Sequence, residues 1–320
     1  MEAAVLVTGG LGFVGSHLVA MLLERNYAVI NLDKVTYSAN PRNLEGVTTG
    51  KRYHFYKGDV ADERVLNALF TRHEIDHVIN VAAETHVDRS ISDPAVFLRT
   101  NVLGVNALLD CARKRDVQRF VQVSTDEVYG SLGPDDPSFI ESSPIRPNSP
   151  YSASKAAADC LVNAYFKTYG LDVTITRSSN NYGPKQHAEK LVPVAIKHAL
   201  ADQPVPLYGS GANVRDWMHV EDHCRGLVAA LERGRPGRLY NLGAGQECSN
   251  LDLVRQVLAL LGKPSSLVEF VPDRPGHDFR YSLDHSRATK ELGWEPLVSL
   301  QDGLKETVEW YVQNPEWLSP

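Results

Sequence analysis

Hydrophobic positions in the first half of the chain form two kinds of segment that alternate. Short apolar runs rich in β-branched residues have the length of buried strands, and the longer segments between them repeat apolar residues at helical spacing. The predicted strands are Ala4–Thr8, Ala28–Asp33, Tyr53–Tyr56, His77–Ala82, Phe120–Ser124 and Val173–Arg177. The predicted helices are Gly15–Arg25, Glu63–Arg72, Ala95–Lys114 and Tyr151–Tyr169. This alternation predicts an α/β fold with a doubly wound parallel (Rossmann) sheet.

The pattern changes after about residue 180. Gly and Pro become frequent, strands become scarcer, and helical spacing recurs at Glu221–Glu232, Leu251–Leu261 and Leu300–Val312. We therefore expect residues 1–180 to form the sheet domain and residues 181–320 to form a smaller C-terminal lobe. The two are expected to be partly interleaved, since the late run Leu239–Leu242 is able to return to the main sheet.

Composition and charge exclude several kinds of partner. The 320-residue chain has a formal net charge of -6 and no run of Lys and Arg, which argues against nucleic acid. No apolar stretch approaches the ~20 residues of a membrane span. The N-terminus lacks the basic and apolar regions of a signal peptide. We therefore expect a cytoplasmic protein that does not associate with a membrane.

The four cysteines carry no recognisable chemistry. Cys111, Cys160, Cys224 and Cys248 lack the spacing of metal ligands and do not form a disulfide framework. We expect buried or partly buried free thiols, and we expect no metal site.

A glycine-rich loop follows the first predicted strand. Gly10, Gly12 and Gly15 fit G-x-G-x-x-G, and Gly9, Gly12 and Gly15 fit the related G-x-x-G-x-x-G. Glycine lets backbone N–H groups approach a diphosphate at a helix N-terminus, whereas a glycine-rich turn alone would bind nothing. Asp33 ends the second strand, where an acid accepts from a ribose 2′-hydroxyl and repels a 2′-phosphate. The sequence therefore predicts an NAD site.

Two later strand ends fit the same site. Asp59, within Gly58–Val60, follows the third strand and is placed to reach an adenine amine. Ala82 and Ala83 end the fourth strand, where small side chains leave room for a dinucleotide. Taken singly, a strand-end cap and a packing choice explain them equally well.

Tyr151 and Lys155 start a helix and share one of its faces. A nearby ammonium lowers the pKa of a phenol, so Tyr151 is a candidate acid/base. A solvated helix face is the alternative for such a pair. Thr125, Asp126 and Glu127 follow the fifth strand at the carboxyl edge of the sheet, where ligands of this architecture bind. Thr125 offers a hydroxyl to a substrate, and the two acids are candidate acid/base groups or, alternatively, helix caps.

Together with these motifs, further segments carry a resemblance that covers nearly the whole chain. They are Leu32–Tyr37, Ala82–Ser90, Ser179–Pro184, Asn213–Trp217 and Asp273–Asp278. The chain resembles the extended short-chain dehydrogenases/reductases that act on nucleotide sugars, and within them the dTDP-glucose 4,6-dehydratase family. The Asp126–Glu127 pair points to that subgroup, because related epimerases usually have a small residue before the Glu.

The resemblance implies a lyase of deoxysugar biosynthesis that turns a nucleotide diphosphate hexose into its 4-keto-6-deoxy sugar by an internal NAD redox cycle. Tyr151 takes the 4-hydroxyl proton, Lys155 keeps Tyr151 activated, Glu127 removes the C5 proton, and Asp126 protonates the departing C6 hydroxyl. The first domain would bind NAD and the lobe the nucleotide sugar. A homodimer would form through the helices near 95–114 and 151–169.

The resemblance also assigns roles residue by residue. The implied catalytic residues are Thr125, Asp126, Glu127, Tyr151 and Lys155. The implied NAD contacts are Gly9, Gly10, Gly12, Phe13, Val14, Gly15, Asp33, Lys34, Asp59, Val60, Ala82, Ala83, Thr100, Tyr151, Lys155 and Asn181. The implied substrate contacts are Thr85, Thr125, Asn180, Lys190, Leu191, Leu207, Tyr208, Arg215, Asn250 and His277. Arg215 is independently suited to a diphosphate, with a surface salt bridge to Asp216 as the alternative.

One departure from the family bears on the substrate. The loop Lys185–Leu191 has His187 and Ala188 where relatives usually have an aromatic residue and a proline before Glu-Lys-Leu. Because this loop lies near the nucleotide, the base, thymine or uracil, stays open. The alternatives are a UDP-sugar 4,6-dehydratase or a nucleotide-sugar 4-epimerase and, in a different class, a non-catalytic NAD-binding sensor.

Overall fold

The computed structural model describes residues 3–47 and 50–319. Its strands are β1 (Ala4–Thr8), β2 (Ala28–Asp33), β3 (Tyr53–Lys57), β4 (His77–Asn80), β5 (Arg119–Thr125), β6 (Val173–Ser178), β7 (Asn180–Tyr182), β8 (Val205–Tyr208), β9 (Val214–His219), β10 (Arg238–Leu242), β11 (Glu247–Ser249) and β12 (Val268–Val271). Its α-helices are α1 (Phe13–Glu24), α2 (Glu63–Arg72), α3 (Val87–Ser92), α4 (Pro94–Leu98), α5 (Val105–Lys114), α6 (Pro150–Tyr169), α7 (Leu191–Leu200), α8 (Val220–Arg233), α9 (Asn250–Leu260), α10 (Ser286–Leu292) and α11 (Leu300–Gln313).

Seven of these strands form one parallel sheet in the order β10-β6-β5-β4-β1-β2-β3. The direction in which successive strands are added to the sheet reverses between β1 and β4. Folds of this type bind their ligands in the crevice at the carboxyl ends of the two strands at such a reversal. The register of the sheet brings the carboxyl ends of neighbouring strands to the same edge. Thr8 lies opposite Leu32, and Thr125 lies opposite Ser178. The doubly wound α/β architecture is confirmed.

Two apolar layers cover the sheet, one on each face. On one face, α1 and α8 bury Leu18, Leu22 and Leu227 against β1 and β10. On the other face, α2, α5 and α6 bury residues such as Leu66 and Leu108. Burial on both faces explains why these strands appear in the sequence as continuous apolar runs.

The C-terminal lobe has a core of its own. Helices α7, α9 and α11 pack Ile196, Leu258 and Tyr311 together beside the pair β12-β8. A three-stranded sheet, β11-β9-β7, adjoins the main sheet. Strand β10 pairs with β6, so a segment from the second half does return to the main sheet.

The sequence prediction of the second half was incomplete. Six strands lie after residue 178, although strands were expected to be scarce, and α7 was missed. Three-residue strands such as β7 and β11 are too short to show a period. Pro193 in the first turn of α7 interrupts the pattern, although proline is compatible with that turn.

Two composition-based expectations need correction. The continuous helical stretch Pro94–Lys114 has 21 residues and contains an 18-residue window with a mean hydropathy of 1.2, so one segment does reach the length of a membrane span. Of that window, 56% is buried inside the fold, which is typical of a core helix. The cysteines are free thiols, but Cys160 is exposed rather than buried or partly buried.

Candidate active site

The glycine-rich loop turns between β1 and α1 because no side chain would fit there. A Cβ on Gly15 would lie 2.1 Å from the Gly9 carbonyl oxygen, and one on Gly9 would lie 2.9 Å from the Ala82 backbone. Gly9 also has a φ of 72°, which favours glycine. Helix α1 follows directly at Phe13 with Gly12 as its N-cap. The N–H groups of the loop itself, from Gly9 to Gly12, are bonded within the protein. The N–H groups that a diphosphate can bind are therefore those of the first turn of α1, which an α-helix leaves without an intrahelical acceptor.

Asp33 ends β2 at the edge of the same loop. Its Oδ2 accepts from the Leu11 N–H at 2.9 Å and its Oδ1 from the Val35 N–H at 2.7 Å. Burial raises the Asp33 pKa, and these backbone bonds oppose the shift. The carboxyl group is therefore fixed in place while each oxygen keeps a lone pair for a ribose hydroxyl.

A large cleft runs along the carboxyl edge of the sheet, with an empty volume of about 1560 Å³ that includes its open mouth. Most of the predicted site residues line it: Gly9, Gly12, Phe13, Val14, Gly15, Asp33, Lys34, Val60, Ala82, Ala83, Thr85, Thr100, Thr125, Asp126, Glu127, Tyr151, Lys155, Asn180, Asn181 and Lys190. Gly10 lies behind the loop and donates to Asn31 Oδ1. Asp59 pairs with Lys34 at 2.9 Å, beside the cleft residues Gly58 and Val60.

A π-helical turn, Arg99–Gly104, joins α4 to α5 and brings Thr100 to the cleft. Such turns occur frequently at functional sites. Asn101 holds the turn in place, because its Nδ2 donates to Ser154 Oγ on α6 at 2.9 Å and its Oδ1 accepts from the Glu84 N–H at 2.9 Å. The turn thus links β4 to the helix that carries Tyr151.

The two acids after β5 have different electrostatic environments. Thr125 caps the 3-10 turn Asp126–Tyr129 by accepting from the Glu127 N–H at 3.3 Å. Asp126 is 2% exposed, and its Oδ2 has no partner in the described part of the chain. Burial, followed by the charge of Glu127, raises the Asp126 pKa well above its usual value.

Glu127 lies closer to positive charge. Burial raises its pKa too, but Arg274, Arg215 and Lys190 oppose the shift, in that order. The arrangement favours a protonated Asp126 beside a more readily ionised Glu127. Two neighbouring carboxyl groups in different environments are suited to act as one acid and one base.

Helix α6 begins with a capping box that fixes Tyr151 in its first turn. Ser149 Oγ accepts from the Ser152 N–H at 3.1 Å, and Pro150 occupies the first helical position. Tyr151 is buried, and the nearby Thr125 hydroxyl opposes the rise of the Tyr151 pKa. The helix N-terminus thus brings the phenol to the end of β5.

One expectation about this pair is wrong for the structure as described. Lys155 was expected to lower the Tyr151 pKa, but burial and then the charge of Glu127 raise it. The Lys155 Nζ instead donates to the Val123 carbonyl at 2.6 Å. Burial lowers the Lys155 pKa to about 8, with Asp159 opposing the shift.

Asp159 lies one turn beyond Lys155 on α6 and forms a buried ion pair. Arg177 Nε on β6 donates to Asp159 Oδ2 at 2.9 Å. The Arg177 guanidinium lies 4.6 Å from the centre of the Tyr129 ring. The Asp159 carboxylate thus lies near Lys155, and its ion pair with Arg177 connects α6 to strand β6.

Arg215 lies on β9 in the second lobe and is buried. Its guanidinium donates to the carbonyls of Val214 at 2.7 Å and Asp278 at 2.9 Å, and it stacks over the Tyr281 ring. The alternative of a surface salt bridge with Asp216 is wrong, since the Asp216 carboxylate accepts from the Ala244 and Gln246 N–H groups instead. Arg215 acts electrostatically on both Asp126 and Glu127.

The other predicted substrate contacts of the second lobe have varied surroundings. Leu207 is 2% exposed and packs in the lobe core. Tyr208 donates to Asp88 at 3.1 Å, and His277 pairs with Asp273 at 2.7 Å. Asn250 begins α9, and its Oδ1 is unpartnered among residues 3–47 and 50–319. These residues and Leu191, at the start of α7, do not line the cleft as it stands, so their roles stay predictions.

Sequence reasoning assigned no individual role to several other cleft residues, although some lie in the segments that carry the resemblance. They are Thr36, Ser38, Glu84, Ser124, Ser178, Ser179, Gln186, His187, Glu189 and His223. Ser124, Ser178 and Ser179 lie at the ends of β5 and β6, where strand-end position was a usable signal. His223 lies on α8, far away in sequence, and no motif marks it.

The polar groups of the cleft fit a nicotinamide dinucleotide. Thr100 Oγ1, Ser179 Oγ and Asn181 Oδ1 are buried, line the cleft, and have no partner in the chain as far as it is described. Buried polar groups without a partner are rare in proteins unless a ligand or water bonds them. Together with the glycine-rich loop and Asp33, they give the cleft polar groups that are available to a bound ligand.

Comparisons with known proteins agree with this geometry. The family model for GDP-mannose 4,6 dehydratase matches residues 6–307. A dTDP-glucose 4,6-dehydratase from an Actinoplanes species is 48% identical over 98% of this chain and 99% of its own. The crystal structure of DesIV, a dTDP-glucose 4,6-dehydratase from Streptomyces venezuelae with NAD and TYD bound, has a TM-score of 0.96 and 49% identity, covering 99% of each chain.

A UDP-glucose 4-epimerase from Thermotoga maritima also shares the fold, with a TM-score of 0.90, 32% identity and coverage of 98% of this chain and 99% of its own. The chain belongs to the GDP-mannose 4,6 dehydratase family, and within it to the dTDP-glucose 4,6-dehydratase family.

Proposed function

We propose that this member of the dTDP-glucose 4,6-dehydratase family is an NAD-dependent lyase that converts dTDP-glucose to the 4-keto-6-deoxy sugar. The observation that carries the proposal is the buried Asp126 and the partly buried Glu127 beside Tyr151 in a cleft with an NAD-type cradle. Oxidation at C4 needs a single acid/base, whereas loss of water from C5 and C6 needs an acid and a base as well.

The proposed division of labour follows from position and charge. Asp126, whose pKa is raised most clearly, holds the proton that the departing C6 hydroxyl requires. Glu127, under the influence of Arg274 and Arg215, is the base for the C5 proton. Thr125 lies near Tyr151, whose pKa it lowers, and offers a hydroxyl to the sugar.

Tyr151 is the proposed acceptor of the 4-hydroxyl proton. Bound NAD supplies the two-electron acceptor and donor of the internal redox cycle. For Tyr151 to act as a base, its pKa has to fall in the loaded enzyme, and Lys155 is the cation on the same helix face that is placed to lower it. This requires the Lys155 ammonium to turn from the Val123 carbonyl toward the phenol.

A product assay tests the proposed function. Purified protein with NAD is incubated with dTDP-glucose or UDP-glucose, and the products are analysed by mass. We expect dTDP-glucose to lose the mass of one water and UDP-glucose to react far more slowly. Faster dehydration of UDP-glucose would favour the UDP-sugar dehydratase. A product of unchanged mass that nuclear magnetic resonance shows to be inverted at C4 would favour the 4-epimerase.

Two structural predictions belong to this proposal. The first is the division at residue 180 into an NAD-binding domain and a nucleotide-sugar-binding lobe, interleaved through β10 and α8, which pack with the main sheet. The second is a cytoplasmic location, which stays a prediction from the sequence.

A homodimer through the helices near 95–114 and 151–169 is proposed as well. Leu98 is 53% exposed and Leu103 is 62% exposed on the first of these segments, so an apolar surface is available for a partner. Leu103→Glu should shift the protein from dimer to monomer in analytical ultracentrifugation. A wild-type protein that stays monomeric at all concentrations would contradict this assembly.

A further inference from the structure

A buried histidine in the cleft has no role in the chemistry described so far. His223 lies in the first turn of α8 and is 2% exposed, yet it lines the cleft. Neither ring nitrogen has a hydrogen-bond partner among the residues that the structure describes. Burial lowers the His223 pKa to about 3, so the ring is neutral at physiological pH and carries one N–H donor.

The neighbouring contacts place the start of α8 beside the N-terminus of α1. Cys224, the next residue, donates from Sγ to the Val14 carbonyl at 3.6 Å. Helix α8 packs along α1, whose N-terminus Gly12 caps. Gly12, Phe13 and Val14 line the cleft together with His223. The side chain is therefore available on the part of the cleft wall where a diphosphate would lie.

His219 provides an internal contrast four residues earlier. It is 1% exposed, and both its ring nitrogens also lack a partner within residues 3–47 and 50–319. It does not line the cleft, and its ring packs edge-on to Tyr182 with centroids 5.5 Å apart. Two buried histidines at the same helix end thus differ in whether a ligand is able to reach them.

We infer that His223 is a cofactor contact whose imidazole N–H donates a hydrogen bond to the diphosphate of bound NAD. Phosphate oxygens are acceptors only, and they suit a neutral ring with a single donor. His223 on α8 would hold the diphosphate, while Asp33 at the end of β2 would hold the adenosine ribose. The inference rests on the proposed function only in that NAD occupies the cleft.

Binding measurements on cofactor-free protein test the contact. The probes are NAD, ADP-ribose, which keeps the diphosphate, and adenosine, which carries no phosphate. His223→Leu should weaken NAD and ADP-ribose about tenfold or more and leave adenosine unchanged. His223→Gln keeps an N–H donor and should recover part of the affinity. His219→Leu, the matched control, should bind all three probes like the wild type.

Each outcome decides the inference. Wild-type affinity of His223→Leu for NAD and ADP-ribose would overturn it, and so would an equal loss for adenosine, which would indicate general distortion of the cleft. Wild-type protein that does not bind NAD would overturn the proposed function together with this contact. If the variants fail to fold, a crystal structure of the NAD-loaded wild type decides, because the contact requires a His223 nitrogen within about 3.2 Å of a diphosphate oxygen.

Discussion

Asp126 at the end of β5 and Asp222 in the first turn of α8 are both almost fully buried, at 2% and 1% exposed, but their oxygens are used differently. Asp222 Oδ2 accepts from the Leu297 and Val298 N–H groups, each at 2.9 Å, and Oδ1 pairs with Arg225. Asp126 Oδ1 accepts from Thr125 at 3.2 Å, and Oδ2 is without a partner in the described chain.

By this comparison Asp222 is an acid that stabilises the fold, whereas Asp126 is an acid that is available for chemistry. Asp222 fixes the segment before α11 to α8, so its bonds are complete in the chain itself. Asp126 lies beside Glu127, and its Oδ2 has no hydrogen-bond partner in the described chain. This arrangement costs folding free energy, but it raises the Asp126 pKa and so keeps a proton at the cleft. Active sites commonly trade stability for function in this way.

The largest stability effect is expected in the region of Asp222. Asp222→Ala removes the charged acceptor of the partly buried Leu297 and Val298 N–H groups and should lower the free energy of unfolding by about 2–5 kcal/mol. Chemical denaturation measures this change. Asp222→Asn is the control, because it keeps an acceptor oxygen and should lose less. If Asp222→Ala has the same free energy of unfolding as the wild type, Asp222 does not stabilise the fold, and the comparison with Asp126 fails.

Asp33 is an intermediate case, since its oxygens bond the backbone and also face the cleft. A 2′-phosphate would meet this carboxylate, so cofactor-free protein should bind NAD more tightly than NADP. Asp33→Asn removes the charge and should reduce that preference by roughly tenfold or more, the scale of one charged interaction. Calorimetry of both cofactors measures it, and equal NADP affinity in the wild type would remove Asp33 from the site.

The smallest effect is a gain in stability from Asp126→Asn. The raised Asp126 pKa means that the folded protein holds this proton more tightly than the unfolded chain does, so its stabilising contribution is lost as pH rises through the folded pKa. Asn carries no charge, and the variant should exceed the wild type by about 1 kcal/mol above neutral pH. Near pH 4 the two should converge. Denaturation of cofactor-free protein at both pH values checks this, and a less stable variant at high pH would contradict it.

Sequence was informative where local pattern and local geometry coincide. The strands of the main sheet were predicted within two residues, because β1, β5 and β6 are buried on both faces and bounded by turns. The catalytic residues were found because they follow β5 or begin α6, positions that the topology brings to one edge.

Sequence was uninformative where distant packing decides. Strand β9 contains the buried charged residues Arg215 and Asp216, so its sequence is not the continuous apolar run that indicates a buried strand. The Tyr151 pKa depends on burial and on Glu127 rather than on its helical neighbour Lys155. His223 reaches the cleft only because α8 packs against α1, which no local motif indicates.

The central claim is that Asp126 serves the loss of water and not the oxidation at C4. Stopped-flow absorbance of reduced cofactor, combined with product mass, tests it in Asp126→Asn with Tyr151→Phe as comparison. Asp126→Asn should still accumulate reduced cofactor on mixing with dTDP-glucose, while product forms on the order of 10²–10⁴-fold more slowly. Tyr151→Phe should accumulate none. Product formation by Asp126→Asn at the wild-type rate would contradict the account.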